Sequence, residues 1–151
     1  MPRRLELEAS FAARRPWVPS SRKLADWAGA ACAPRRYSTV LSVRVVGLAR
    51  SRSLNARYRH KDSPTNVLSF DGPGLMPDGR YFLGELVICA PVVAREALSM
   101  GKTLESHWAH MMVHGVLHLS GFDHEARREA AKMAAREIQI LDRLGFSDPY
   151  R

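Results

Sequence analysis

A cluster of histidines marks the chemistry this chain could do. Of the six histidines in the sequence, His107, His110, His114, His118 and His124 all fall within HWAHMMVHGVLHLSGFDH, residues 107–124. Residues four apart on a helix lie roughly 40° apart around the axis and about 6 Å along it, so two imidazoles at that spacing can reach one ion. Three on one helix cannot. His110 and His118 would stand about 12 Å apart along the axis, whereas zinc holds each ligating nitrogen at about 2.1 Å. One such pair must therefore be joined by a ligand from beyond the helix, and Gly121 can end the helix in a left-handed conformation and turn the chain back. This selects His114, His118 and His124, in the spacing HxxxHxxxxxH, as the ligands of one zinc ion. Three neutral imidazoles leave the fourth tetrahedral position open, as in a catalytic zinc site, where bound water has a pKa of about 7. His107 and His110 are expected beside the ligands or in an adjoining groove.

The residue after the first ligand is as informative. In the helical zinc-protease signature HExxH a glutamate stands there as general base; here it is Gly115, in HGVLH. The three-histidine set with its glycine turn resembles the metzincin metal site, but without that carboxylate peptide hydrolysis is only the runner-up.

Charge points to the partner. The 151 residues carry a formal net charge of +8, and clustered Arg and Lys act mainly by neutralising phosphates. Arg50, Arg52, Arg57, Arg59 and Lys61 crowd the acid-free run RSRSLNARYRHK with Tyr58, an aromatic able to stack on a base. These five are the candidate substrate-binding residues, for a single-stranded nucleic acid. A composition 46% hydrophobic and 25% charged is that of an ordinary globular domain. No apolar run approaches the roughly 20 residues of a membrane span, and the first residues lack the apolar centre of a signal peptide, so the expectation is a cytoplasmic protein without a membrane partner. Cys32 and Cys89 stand alone and read as small buried hydrophobes.

The elements that must position these groups follow from periodicity and punctuation. Leu5 and Leu7 alternate with Glu6 and Glu8 in a short strand, and Ser20 or Ser21 caps a helix through about Cys32 that buries Leu24, Trp27, Ala28 and Ala31. Val40 to Val46 reads as a buried strand. The basic run follows as a helix from Ser51, capped by Ser51 or Ser53, and Pro64 sends Asn66 to Phe70 into a strand. DGPGLMPDGR, Asp71 to Arg80, reads as a loop joining that strand to its hairpin partner, Tyr81 to Ile88. A helix from Pro91 to about Met100 precedes Thr103, which caps the metal helix, with Glu105 in its first turn and Leu104, Trp108, Met111, Met112 and Leu119 as its core stripe. The last helix, Glu125 to Leu144, buries Ala130, Met133, Ala134, Ile138 and Leu141 and stops at Gly145. The whole, residues 1–151, reads as one domain.

Three blocks, LNARYRHKDSPTNVLSF, LGELVI and HWAHMMVHGVLHLSGFDH, make the chain similar to the YbeY family of bacterial metal-dependent endoribonucleases over nearly its whole length. That resemblance implies an α+β fold, a mixed sheet of about four strands backed by helices, with a zinc ion at the end of a groove. It implies His114, His118 and His124 as metal ligands, and Arg59 and His114 as the catalytic residues. It implies late 16S ribosomal RNA 3′-end maturation, ribosome assembly and quality control of the 70S ribosome. The implied partners are the 16S precursor, small-subunit proteins and an Era-type GTPase. Glu85, Asn66 and Phe122 depart from the family's usual Asp, Asp and Tyr, which withdraws a carboxylate role from position 66 and a phenol role from 122. Two other readings are a ribosome-assembly factor whose metal only holds the turn at Gly121, and a metalloprotease. In the enzyme, the lack of a base beside the first ligand favours attack by water over attack by the substrate's 2′-hydroxyl.

Overall fold

The computed structural model describes residues 5–122 and 126–151. Nine elements follow one another: β1 (Leu5–Phe11), α1 (Ser21–Ala31), β2 (Thr39–Val46), α2 (Leu48–Arg59), β3 (Val67–Leu75), β4 (Tyr81–Cys89), α3 (Ala90–Ser99), α4 (Leu104–Leu119) and α5 (Arg127–Arg143). The strands form one sheet in the order β1-β2-β4-β3. β1, β2 and β4 run parallel and β3 pairs antiparallel with β4, so the sheet is mixed and the fold is α+β, as expected.

The side-chain period of a strand separates the two faces. Leu41, Val43 and Val45 of β2 and Leu86 and Ile88 of β4 point to one face and join Trp27, Trp108, Met112, Met133, Ile140 and Leu141 of α1, α4 and α5 in the main core. Val46, Leu68, Val87 and Cys89 point to the other face, where Leu54, Phe70 and Val92 pack on them. β2 and β4 are covered on both faces along part of their length, hence their nearly unbroken apolar sequences. Each such fully buried aliphatic side chain contributes about 1.5–3 kcal/mol.

α4 occupies the middle of the helical layer. Thr103 caps it, its hydroxyl accepting from the Ser106 amide at 3.2 Å. The expected stripe is there, with Trp108, Met111, Met112 and Leu119 buried, yet eleven of the sixteen α4 residues are buried in all. Packing on several sides takes His107 and His110 out of water, at 3% and 9% exposed. The helix ends in a Schellman motif: Phe122 N–H donates to Leu117 O and Gly121 N–H to His118 O, both at 3.1 Å, with Gly121 at φ 103°. The turn expected of Gly121 is thus present.

Two boundaries near the histidines' side of the fold differ from expectation. α2 starts at Leu48 with Gly47 as its cap, because Ser51 is buried and engaged elsewhere. β3 runs on to Leu75, through half of the stretch that reads as loop, with a register shift between Asp71 and Gly74. β3 is an edge strand, where a bulge can accept Pro73. Gly72 is required there, since a Cβ on it would lie 2.3 Å from Phe82 O.

Candidate active site

α4 presents His114 and His118 one turn apart to a cavity of about 590 Å³, whose opposite wall is the end of α2 and the segment that follows it. Asn55, Arg59, Lys61, Thr65, Asn66 and Ser69 supply its polar lining, and none of the described residues lining it is acidic. α2 builds that wall through side-chain hydrogen bonds to the backbone beyond it. Ser51 Oγ accepts from Thr65 N–H at 2.9 Å and donates to Thr65 O at 3.0 Å, and Asn55 Nδ2 donates to Ser63 O at 2.8 Å. His60 closes the helix in the left-handed region, at φ 59°. Arg59, the last residue of α2, donates from Nη2 to Ser69 O at 2.9 Å and lies over the Phe70 ring at 5.8 Å. Beside it Tyr58 stands edge-on to Phe70 at 5.2 Å, with nearly half its surface open to solvent.

The basic run is therefore divided by its geometry. Arg59 and Lys61 line the histidine cavity; Arg50, Arg52 and Arg57 do not. Arg57 lies over the Tyr58 ring at 5.3 Å. Arg52 makes a two-pronged ion pair with Asp62, at 2.7 and 3.0 Å, an acid just outside the run. That pair raises the Arg52 pKa and lowers that of Asp62, by hydrogen bonding first and charge second.

Behind the cavity lies a group that the sequence did not lead us to. Glu137 of α5 is fully buried, and His114 Nδ1 lies 2.5 Å from its Oε1. His110 Nε2 lies 3.4 Å from Oε2, to which the Tyr150 hydroxyl also donates. Burial alone would push the Glu137 carboxyl up, but the bonds from His110, His114 and Tyr150 outweigh it and hold the pKa down at about 2. Glu137 is thus held as an ionised acceptor for these groups. Its signal in the sequence is a carboxylate on an apolar stripe: Met133, Glu137, Ile140 and Leu141 are the buried residues of α5, whereas Ala130, Ala134 and Ile138, expected in the core, are only partly buried. A buried charge on such a stripe needs partners.

His110, His114 and Glu137 offer ligand atoms within 4.8 Å of one another, a group that could hold a metal ion. The donor distances favour a different use of Glu137. Two donors on a tetrahedral zinc at about 2.0–2.1 Å stand roughly 3.3 Å apart, so at 2.5 Å His114 Nδ1 and Glu137 Oε1 bond to each other. An imidazole donating from Nδ1 keeps Nε2 for a cation. The fit to zinc thus rests on His114 and His118 in one cavity; His124, the third expected ligand, lies outside the described residues. His107 and His110 do not line that cavity. His107 meets Glu96 at 2.9 Å, and Glu96 accepts in turn from Asn66 Nδ2 at 3.1 Å. The Asn66 amide is thereby used as a donor.

Residues 20–145 match the family model described as Endoribonuclease YbeY. The chain belongs to the YbeY endoribonuclease family. It is 49% identical to an Endoribonuclease YbeY of Stenotrophomonas maltophilia strain R551-3 over 99% of this chain and 95% of that protein. It is equally similar, with the same coverage, to an Endoribonuclease YbeY of Xanthomonas campestris pv. campestris strain B100. A Thermotoga maritima protein solved in solution is alike in fold, with a TM-score of 0.53 and 21% identity over 97% of this chain and 99% of that one. Among the described residues, no helix is long and apolar enough to cross a membrane.

Proposed function

We propose that this member of the YbeY family is a single-domain, zinc-dependent endoribonuclease that prefers single-stranded RNA. It acts in the cytoplasm in late 16S ribosomal RNA 3′-end maturation, ribosome assembly and 70S quality control, with small-subunit proteins and an Era-type GTPase as partners. One observation carries the chemical part of this reading: His114 and His118 share a cavity with Arg59 and Lys61 and with no acidic side chain among its described lining. Such a lining suits a phosphodiester.

His114, His118 and His124 would hold the zinc ion, on a metzincin-like helix and turn. Bound there, zinc supplies Lewis acidity at a phosphate oxygen and lowers the pKa of water to about 7. Arg59 is planar and always charged, so its guanidinium clamps the phosphate and stabilises charge as it develops. Lys61 adds a second positive charge at the same wall. The exposed ring of Tyr58, next to Arg59, offers a base a surface to stack on. No carboxylate among the described residues lining the cavity stands ready to deprotonate a 2′-hydroxyl, which keeps water as the favoured nucleophile.

The test is RNA cleavage by highly purified wild type, Arg59→Glu and His114→Ala, with zinc content and folding measured on the same samples. Loss of cleavage in a folded, zinc-loaded Arg59→Glu supports the enzyme. Unchanged cleavage in both variants overturns it and leaves the assembly-factor reading, while digestion of casein by the wild type would revive the protease.

A further inference from the structure

The carboxylate of Glu137 does not line the cavity, yet it collects three donors in the interior of the protein. His114 Nδ1 is at 2.5 Å from Oε1; His110 Nε2 at 3.4 Å from Oε2 and the Tyr150 hydroxyl share the other oxygen. The Tyr150 ring stacks edge-on against His110 at 5.5 Å. This segment is brought back over α4 by a second Schellman turn, in which Phe146 N–H donates to Leu141 O at 2.9 Å and Gly145 N–H to Asp142 O at 3.0 Å, with Gly145 at φ 90°. Phe146 then packs edge-on against Trp27 at 6.1 Å, and Lys102 Nζ donates to Pro149 O. The network thus joins α4, α5 and the last residues of the chain around one buried charge.

We propose that Glu137 is a positioning residue of the metal centre: it fixes His114 as the Nδ1–H tautomer with Nε2 turned to the cavity, and Tyr150, with His110, holds Glu137 in place to do so. The proposal rests on the reading of His114 as a metal ligand. A neutral imidazole has one protonated and one lone-pair nitrogen, and a partner at Nδ1 decides which nitrogen can bind an ion. A carboxylate does this better than an amide here for a reason of counting. Its two oxygens can accept from all three donors, whereas a glutamine offers one oxygen and adds two N–H groups that compete as donors. Orientation of this kind typically carries about 10–100-fold in metal affinity.

The experiment uses the full chain in two measurements. Long-range proton–nitrogen correlation spectra of the metal-free protein report which His114 nitrogen is protonated. Competition against a chromophoric chelator gives zinc affinity for wild type, Glu137→Gln and Tyr150→Phe, with circular dichroism and melting confirming that each is folded. The expected results are Nδ1–H at His114 in the wild type, a mixed tautomer in Glu137→Gln with zinc binding about 10–100-fold weaker, and a smaller loss in the same direction for Tyr150→Phe. Protonation of His114 on Nε2 in the wild type, or a folded Glu137→Gln that binds zinc as the wild type does, overturns the proposal. Should Glu137→Gln not fold, the wild-type tautomer and Tyr150→Phe decide, and undiminished zinc affinity in Tyr150→Phe then counts against it. A wild type that binds no zinc overturns the metal reading itself, a failure visible before any variant is compared.

Discussion

Gly115 stands where a helical zinc protease keeps its catalytic glutamate, and the structure gives a reason for glycine that has nothing to do with catalysis. A Cβ at position 115 would lie 2.7 Å from Leu86 Cδ2 and 2.9 Å from Cδ1, so glycine lets α4 close onto β4. Gly115→Ala should therefore destabilise by about 1–2 kcal/mol in urea unfolding, the overpacking outweighing the gain in helix propensity. A more stable Ala variant would show that the contact relaxes freely. With position 115 turned away and Glu137 ionised behind His114, the proposed cleavage by water attack should leave a 3′-hydroxyl and a 5′-phosphate and continue on a substrate methylated at the 2′-oxygen of the cut site. A 2′,3′-cyclic phosphate would instead make the enzyme a transesterase. His107 makes a separate prediction at this scale. Burial lowers its pKa, against the opposing pull of Glu96, from an ordinary value of 6.5. The unfolded chain then binds the proton more readily, so stability is fully present above about pH 6.5 and falls as the pH drops through it toward the folded pKa. His107→Gln should lose less of its urea midpoint between about pH 7.5 and about pH 5.5 than the wild type does; an identical loss would place the sensitivity elsewhere.

At the scale of elements, periodicity and punctuation made most of the fold legible. The caps of α1 and α4 are Ser20 and Thr103, as their side chains suggested, and the strand and helix types follow the apolar pattern. Two kinds of feature were not legible. Where a polar side chain is spent on another segment, local rules mislead: Ser51 reads as a cap but bonds Thr65, and α2 begins at Leu48 with Gly47 as its cap instead. Where a charge is buried by partners distant in sequence, the apolar stripe is misjudged, as on α5, where skipping Glu137 rotated the expected core face onto Ala130, Ala134 and Ile138. The paired histidines of α4 were legible because i,i+4 spacing is a local property, and Gly121 because a positive φ is a local need. Gly121 allows a prediction that belongs to the element. An Ala there must hold a left-handed backbone, at a cost of about 1–2 kcal/mol. Because the same turn leads the chain toward His124, Gly121→Ala should weaken zinc binding, read by chelator competition, beyond the small loss in melting temperature. A variant with the expected stability loss and wild-type zinc affinity would separate the turn from the metal centre.

Over the whole molecule the net charge of +8 draws RNA to every basic surface, and the question is which charges it neutralises. For single strands each phosphate contact contributes about 0.7 to the slope of log affinity against log salt. Lys and Arg that already hold an acid in a two-pronged pair have less to offer, because binding a phosphate must first break that pair. Arg52 is in this position with Asp62, whereas Arg59 and Lys61 face the histidine cavity. Reversing Arg59 and Lys61 together should lower the slope for a single-stranded RNA by about 1.4, two contacts' worth. Reversing Arg52 alone should leave it nearly unchanged, although that variant changes the net charge by the same amount as either single reversal. A diffuse electrostatic attraction, in which only total charge matters, predicts equal effects per charge reversed. Equal slopes for Arg52→Glu and Arg59→Glu, measured by titration across a salt series, would show that RNA is held by the field of the molecule as a whole and not at the wall of this cavity.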